Sequence, residues 1–417
     1  MEIKRDLYLD RITVRRHNGL IKVITGIRRC GKSYLLNNIF HNFLIHNGIK
    51  EDHIIQIAFD VRSSKEWRDP EKLCEYINAR MTDPEMYYLL LDEVQMLDDF
   101  SSVLNEYLRR PNADIYVTGS NSRFLSTDVL TELRGRGDEI HIYPLSFSEY
   151  TSAFEGNIND QWQEYITYGG LPLTVNMRTD EQKSSYLSNL FVETYLKDIL
   201  ERNRIKNDDE LSELINILAS DIGSLTNPYK LSNTFKSVKK INISPVTLSK
   251  YVKYLEEAFI INEAKRYDVK GKKYIDTPFK YYFEDIGLRN ARLDFRQVEE
   301  NHIMENIIYN ELRLRGYKVD VGVISAKEKR NDTDYVKKQF EVDFVANQGN
   351  KRYYVQSAYQ LNSAEKTEQE KRSLKKIDDS FKKIIVIKDN IKLRRDENGF
   401  VTIGIWDFLL NPNSLDL

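Results

Sequence analysis

The stretch Leu20-Ile-Lys-Val-Ile-Thr25-Gly26-Ile-Arg-Arg-Cys30-Gly31-Lys32-Ser33 decides how this chain folds. Its first six residues read as a strand. A glycine, four free positions and Gly-Lys-Ser follow at once. Beyond them, Leu35, Leu36, Ile39, Phe40 and Phe43 recur at helical spacing. Strand, glycine loop and helix in that order are the context in which such a loop cradles phosphates. The glycines let the backbone turn its N–H groups toward an anion, and the polarity of the helix N-terminus adds to the attraction. Lys32 is placed to reach β and γ phosphates, and the Ser33 hydroxyl to hold Mg²⁺. Gly26, Cys30, Gly31 and Tyr34 complete the set expected against a nucleotide. Arg28 and Arg29 are expected to point outward, toward a partner, a nucleotide edge or an acidic surface.

Further along, Leu89-Leu-Leu-Asp92-Glu93 closes an apolar strand. One acid there can hold the metal and the other can polarise water, so Asp92 is the metal candidate and Glu93 the base. Gln95 either touches the same water or lies at the surface. The next strand ends Val117-Thr118-Gly119-Ser120-Asn121. A polar residue between the loop strand and the acid strand can sense the γ phosphate. Ser120 is preferred, Asn121 is the alternative, and Thr118 is read as a strand cap. Arg134 and Arg136 flank Gly135 just before a fifth strand. Arg136, with Arg134 second, is the candidate to stabilise phosphoryl charge in a neighbouring subunit. The competing reading is a solvent-facing ion pair.

These strands alternate with helices, as in a mostly parallel sheet covered on both sides. The expected boundaries are an ATPase core over 1–150, a helical lid over 151–205, a winged helix-turn-helix over 206–275 and an α/β domain over 276–417. In the third segment Ser244 caps a helix that opens with Pro245. Its apolar stripe is Val246, Leu248, Tyr251, Val252, Leu255 and Phe259, and a hairpin centred on Lys270-Gly271-Lys272 follows.

Composition narrows the classes. The chain has 417 residues, 62 Lys plus Arg against 64 Asp plus Glu, and a net charge of −2. A globally basic nucleic-acid coat is excluded, while a local basic patch is not. Two cysteines, Cys30 and Cys74, cannot build a disulfide framework, and the six histidines show no zinc spacing. The N-terminus lacks the apolar stretch of a signal peptide and no run is long enough to span a bilayer, so a cytoplasmic protein with no membrane partner is expected.

Gly26 to Ser33, LLLDEVQ from Leu89, VTGSNS from Val117 and LRGRGDEIHIYPLSFSEY from Leu133 together resemble the prokaryotic AAA-type ATPases. The members in question carry the domain of unknown function numbered 4143 in their carboxy-terminal region. YGGLP from Tyr168, YLKDIL from Tyr195, ISPVTLSKYVKYLEEAFII from Ile243, YYFEDIGLRNA from Tyr281 and EVDFV from Glu341 extend the resemblance over about residues 15–360. It implies an α/β P-loop NTPase fold of AAA type, with a helical lid, a winged helix-turn-helix and a restriction-endonuclease-like domain. It also implies ATP and Mg²⁺ as ligands.

Two segments stay open at this level. Thr247, Lys250 and Lys253 could face outward from the helix, and Lys270, Lys272 and Lys273 occupy the wing, a set suited to duplex phosphates. Glu256 and Glu257 oppose this, and an unknown protein partner is the alternative. An Asp285–Arg289 ion pair is conceivable on one helix, although a structural turn is the plainer reading. In the last segment Glu305 lies on a helix, and Glu341 and Asp343 share one strand face. Gln356 and Ala358 stand where a nuclease would carry an acid and a lysine, and Lys366 is the nearest substitute by sequence. A fold without cleavage is therefore expected. Three functions remain: a Mg²⁺-dependent ATP hydrolase that couples nucleotide state to domain or partner rearrangement, in oligomers if Arg136 acts in trans; a nucleotide-gated DNA- or protein-binding switch with little turnover; and an ATP-coupled nuclease.

Overall fold

Ile21–Thr25 forms β1 and is buried at all five positions. In the computed structural model, which describes residues 3–119, 135–154, 156–205, 207–296, 299–329, 335–361 and 363–417, four more strands join it. They are β2 (Ile54–Ala58), β3 (Tyr87–Asp92), β4 (Ala113–Thr118) and β5 (Gly137–His141). The sheet order is β2-β3-β4-β1-β5 and every pairing is parallel. The strand between β1 and β3 is β4, as expected. All six residues of β3 are buried because both faces of the sheet are covered. On one face Leu89, Leu91, Ile115 and Val117 pack with Leu73, Ile77, Val103 and Leu104 from helices Pro70–Arg80 and Phe100–Leu108. On the other, Phe40 of the helix after the glycine loop meets Tyr116 with ring centroids 4.6 Å apart. A buried charge pair links neighbouring strands there. Lys22 of β1 donates to Asp114 of β4, which also accepts the Tyr116 hydroxyl at 2.7 Å. Burial pulls the Lys22 ammonium below its usual range, against the pull of Asp114.

The chain divides into two compact units. The first comprises Met1–Leu145, Leu171–Asn176 and Glu257–Phe259. The second comprises Ser146–Gly170, Met177–Glu256 and Ile260–Leu417. Two expected boundaries fall inside elements. Residue 150 lies within helix Phe147–Ala153, whose Ser146 and Glu149 form a reciprocal cap. Residue 276 lies within β7 (Lys273–Phe283), which pairs with β6 (Ile261–Asp268). The lysine hairpin is thus the end of a long two-strand ribbon. That ribbon belongs to an eight-stranded sheet because β6 runs parallel to β8 (Lys318–Lys329) over Arg266–Asp268. The sheet continues through β9 (Tyr335–Gln348), β10 (Lys351–Ala358), β11 (Lys382–Ile387), β12 (Arg394–Arg395) and β13 (Val401–Gly404) in the order β12-β13-β11-β10-β9-β8-β6-β7. Helix Glu300–Leu314 buries Met304, Ile307, Ile308 and Leu312. Leu374 of helix Ala364–Leu374 packs with Val342, Tyr354 and Ile385 of the sheet.

Ser244 Oγ accepts from the Thr247 N–H at 3.1 Å and caps helix Pro245–Glu257 as expected. Leu248, Tyr251, Val252 and Leu255 are its buried stripe, but Val246 is exposed and Phe259 lies beyond the helix end with φ +57°. Asp285 and Arg289 form no ion pair, and the plainer reading of a structural turn holds, each residue making its own contacts. Asp285 caps helix Ile286–Arg292 through the Leu288 N–H and also accepts the Gly170 N–H at 2.8 Å. Arg289 donates to the Ala219 carbonyl at 2.8 Å. The reason is close packing. A Cβ on Gly287 would lie 2.1 Å from the Tyr168 carbonyl oxygen, and one on Gly169 2.5 Å from Asp285. The YGGLP and EDIGLRN motifs therefore meet backbone to backbone. Among the described residues no helix is long and apolar enough to cross a membrane.

Candidate functional site

The glycine loop leaves the carboxyl end of β1. Gly26 has φ +137° and Gly31 φ +103°, both in the region that favours glycine, and Arg29 between them has φ +65°. A Cβ on Gly26 would sit 2.1 Å from the Ile142 carbonyl oxygen, so the loop can pass there only as glycine. Cys30 is fully buried under the loop, Arg29 is exposed and Arg28 is half-buried. The helix starts at Lys32, whose side chain is 4% exposed and donates to the Gly26 and Ile27 carbonyls at 2.9 and 3.0 Å. Tyr34, in the first turn, is exposed.

Three elements converge on Asp92 at the end of β3. Ser33 Oγ donates to Asp92 Oδ1 at 3.0 Å, Thr118 Oγ1 of β4 donates to the same oxygen, and Asn37 Nδ2 donates to Oδ2 at 3.1 Å. Asp92 is buried. Desolvation pushes its carboxyl above the usual range, opposed by the Thr118 and Ser33 hydroxyls and assisted by Glu93 and Asp60. Glu93 follows in the left-handed region at φ +54°, a conformation that costs a non-glycine residue about 1 kcal/mol. Two contacts hold it there. Its N–H donates to Thr118 Oγ1 at 2.9 Å, and Gln95 Nε2 donates to its carboxylate. Beneath the loop, Thr25 Oγ1 donates to Glu139 at 3.0 Å and lies 2.8 Å from His141 Nδ1.

The donor set fits a nucleotide with a hard divalent ion. A hydroxyl and a carboxylate stand together at a helix N-terminus, the ligand types such ions prefer. Beside them, Asn37 Oδ1 and Gln95 Oε1 are buried oxygens with no hydrogen-bond donor. Acceptors in that position suit the water ligands of a bound ion.

The structure thus brings together Gly26, Cys30, Gly31, Lys32, Ser33, Asp92 and Glu93. Thr118 does more than cap a strand, since it ties Asp92 to Glu93. Asn37 escaped sequence reading, although its position four residues after Ser33 puts both on one helix face. Ser120, Asn121 and Arg134 lie outside the described residues. Arg136 sits at the other end of the sheet. Its carbonyl accepts the Ile21 N–H at 2.9 Å and its Nη1 donates to Asn105 at 2.5 Å. A five-residue strand separates it from the loop of its own chain, roughly 15 Å.

Away from the loop, Lys250, Lys253, Lys272 and Lys273 are exposed, whereas Lys270 pairs with Asp378 at 3.0 Å. Thr247 faces its own cap, with Oγ1 2.9 Å from Ser244 Oγ. Lys366 lies 3.9 Å from Glu370 and is half exposed, so it is not the lysine of the Asp343 cluster.

A family model described as AAA domain matches residues 18–151. Residues 159–299 match a model described as Domain of unknown function (DUF8612), in place of the domain numbered 4143 suggested by the resemblance. An uncharacterized protein of Haemophilus influenzae is 35% identical over 416 residues, covering 98% of each chain. An uncharacterized protein of Methanocaldococcus jannaschii is 27% identical over 407 residues, covering 93% of this chain and 85% of the other. Among solved structures, Cdc6p from Pyrobaculum aerophilum aligns with 73% of this chain and 97% of its own at 13% identity, with a TM-score of 0.31.

Proposed function

The chain belongs to the family of its Haemophilus influenzae relative and matches an AAA domain over residues 18–151, and from that premise we propose that it is a Mg²⁺-dependent ATP hydrolase whose nucleotide state rearranges a domain or a bound partner. The observation that carries this reading is the convergence of Ser33, Thr118 and Asn37 on Asp92, with Glu93 held in a strained turn beside it. Lys32 exchanges the Gly26 and Ile27 carbonyls for β and γ phosphate oxygens. The backbone N–H groups around Gly31 face the same phosphates. Ser33 and Asp92 would hold Mg²⁺, which would supply positive charge to the phosphate oxygens. Glu93 accepts the proton of the attacking water, and Thr118 fixes the spacing between the metal-holding acid and the base. Tyr34 and Cys30 line the loop. Ser120 or Asn121 would contribute a further polar contact to the γ phosphate.

Arg136, remote from its own loop, serves a neighbouring copy in this reading. Phosphate release is therefore expected only with Mg²⁺, and turnover per chain is expected to rise with protein concentration. Arg136→Ala should flatten that rise at unchanged ATP affinity, and mixing it with Lys32→Ala chains should restore part of the activity. ATP binding without release at any concentration would leave the nucleotide-gated switch as the better reading.

A second reading concerns duplex DNA. Helix Pro245–Glu257 presents exposed Lys250 and Lys253 after the short helix Pro228–Thr234 and its extension Phe235–Lys239. Such a pair can lay its second helix in a groove. With a net charge of −2, modest and largely sequence-independent binding is expected. Its affinity should fall with salt at a log–log slope of about −0.9 per phosphate contact. Lys250→Ala with Lys253→Ala should reduce that slope by about two contacts. An unchanged slope and affinity in the double variant would assign the surface to a protein partner.

A further inference from the structure

A second polar cluster, unused by the nucleotide, lies buried in the second unit. Glu305 projects from helix Glu300–Leu314, Glu341 and Asp343 from β9, and Gln356 from the adjacent β10. The β10 position where a metal-dependent nuclease would carry its lysine is Ala358, which is buried. A lysine is nevertheless present, and it comes from β7. Lys280 is 4% exposed, and its Nζ lies 2.9 Å from Glu305 Oε1, 3.0 Å from Glu341 Oε1 and 3.8 Å from Asp343 Oδ1. The three carboxylates raise the pKa of this ammonium above the ordinary lysine range in spite of its burial, so it is a permanent cation.

Two further donors reach the carboxylates of the cluster. Tyr282, two residues on and on the same face of β7, donates its hydroxyl to Glu305 Oε1 at 2.6 Å. The Ser357 N–H donates to Asp343 Oδ2 at 2.8 Å. Gln356 Oε1 accepts from the Asp343 N–H at 3.4 Å, and its Nε2 donates to Glu370 at 3.3 Å. A divalent ion would need these same oxygens. It would have to take the ammonium's place, because two cations cannot share one buried point among three acids.

We propose that Lys280 is the resident cation of this cluster and excludes a divalent metal, so that the second unit keeps the acids of a phosphodiester-cutting site without its metal chemistry. The lysine ties β7 to the helix and to β9, and the acids that would position a metal instead hold these elements together. The domain is then free to act as a scaffold whose integrity does not depend on the cellular metal supply.

The test is Mn²⁺ binding to the full chain without nucleotide, counted by electron paramagnetic resonance of the free ion. The nucleotide site is common to all chains compared and cancels. Lys280→Gln is expected to gain one Mn²⁺ per chain over the wild type, whereas Asp343→Asn alone is expected to leave the wild-type Mn²⁺ count unchanged. Lys280→Gln with Asp343→Asn should lose that ion again. A wild-type Mn²⁺ that disappears in Asp343→Asn overturns the proposal, because metal and lysine would then coexist as in an active nuclease. So does a folded Lys280→Gln that gains no ion. If Lys280→Gln folds only with millimolar Mn²⁺ present, the metal has replaced the ammonium and the proposal stands. If it stays unfolded even then, the lysine is a packing element and the proposal fails.

Discussion

Glu93→Gln is expected to bind ATP as tightly as the wild type and to turn it over about 10²–10⁴-fold more slowly, the usual range for loss of a general base. The substitution keeps the length and planarity of the side chain and leaves the Glu93 N–H bond to Thr118 untouched. It removes only the oxygen charge that accepts a proton. Lys32, Ser33 and Asp92 lie on other elements, and the phosphate contacts assigned to them do not involve residue 93. Binding and turnover therefore separate, as they do when an interaction belongs to the transition state alone. Calorimetry with ATP measures the first and single-turnover phosphate release the second. Equal turnover by the two chains would remove Glu93 from the catalytic role and leave Asp92, or a group from another segment, as the base.

Gly287→Ala should destabilise the second unit by about 3 kcal/mol or more, because the new Cβ falls on backbone. The Tyr168 carbonyl oxygen and carbon lie 2.1 and 2.4 Å from its position, and neither can rotate away as a side chain could. Separating the segments would break the Asp285 bond to the Gly170 N–H as well. Gly349→Ala is the matched control. It lies in the β9–β10 turn at φ +58° with nothing within 4 Å of the added carbon, so only backbone strain of about 1 kcal/mol is expected. Urea midpoints of the two variants measure the difference. Equal midpoints would mean that the two glycine motifs are not in contact in solution.

The nucleotide loop was legible because its requirement is local: two glycines, a lysine and a hydroxyl at fixed spacing between a strand and a helix. Asp92 and Glu93 were legible because they end an apolar run. Thr118 was visible but undervalued, since only the β3–β4 register puts it against Asp92. Lys280 was hidden for a different reason. It precedes an aromatic run that reads as core, and its partners lie 25 to 63 residues away in the chain, at Glu305, Glu341 and Asp343. The Asp285–Arg289 pair looked plausible at helical spacing. It lost to the Ala219 carbonyl, 70 residues distant, and to the N–H groups around two glycines. The 12-residue β8 also escaped, because its alternation of Val319, Val321 and Val323 runs on into the charged Lys327-Glu-Lys329 end. Local chemistry could be read from spacing, while contacts between distant segments could not.

The division into two units has a practical corollary for anyone dissecting the molecule. The chain passes between them at 145/146, 170/171, 176/177, 256/257 and 259/260. Neither unit is therefore a contiguous gene segment. An open reading frame stopped after residue 145 would omit Leu171–Asn176 and Glu257–Phe259, including the Phe259 ring, which lies tilted against His141 with centroids 4.7 Å apart. One that began at 146 would carry those residues as orphans with no core to join. A single protease nick likewise cannot yield two self-sufficient fragments, because each piece would retain residues belonging to the other body. Domain swaps and reporter insertions in this family should follow the five passages and avoid treating the amino-terminal third as a detachable module.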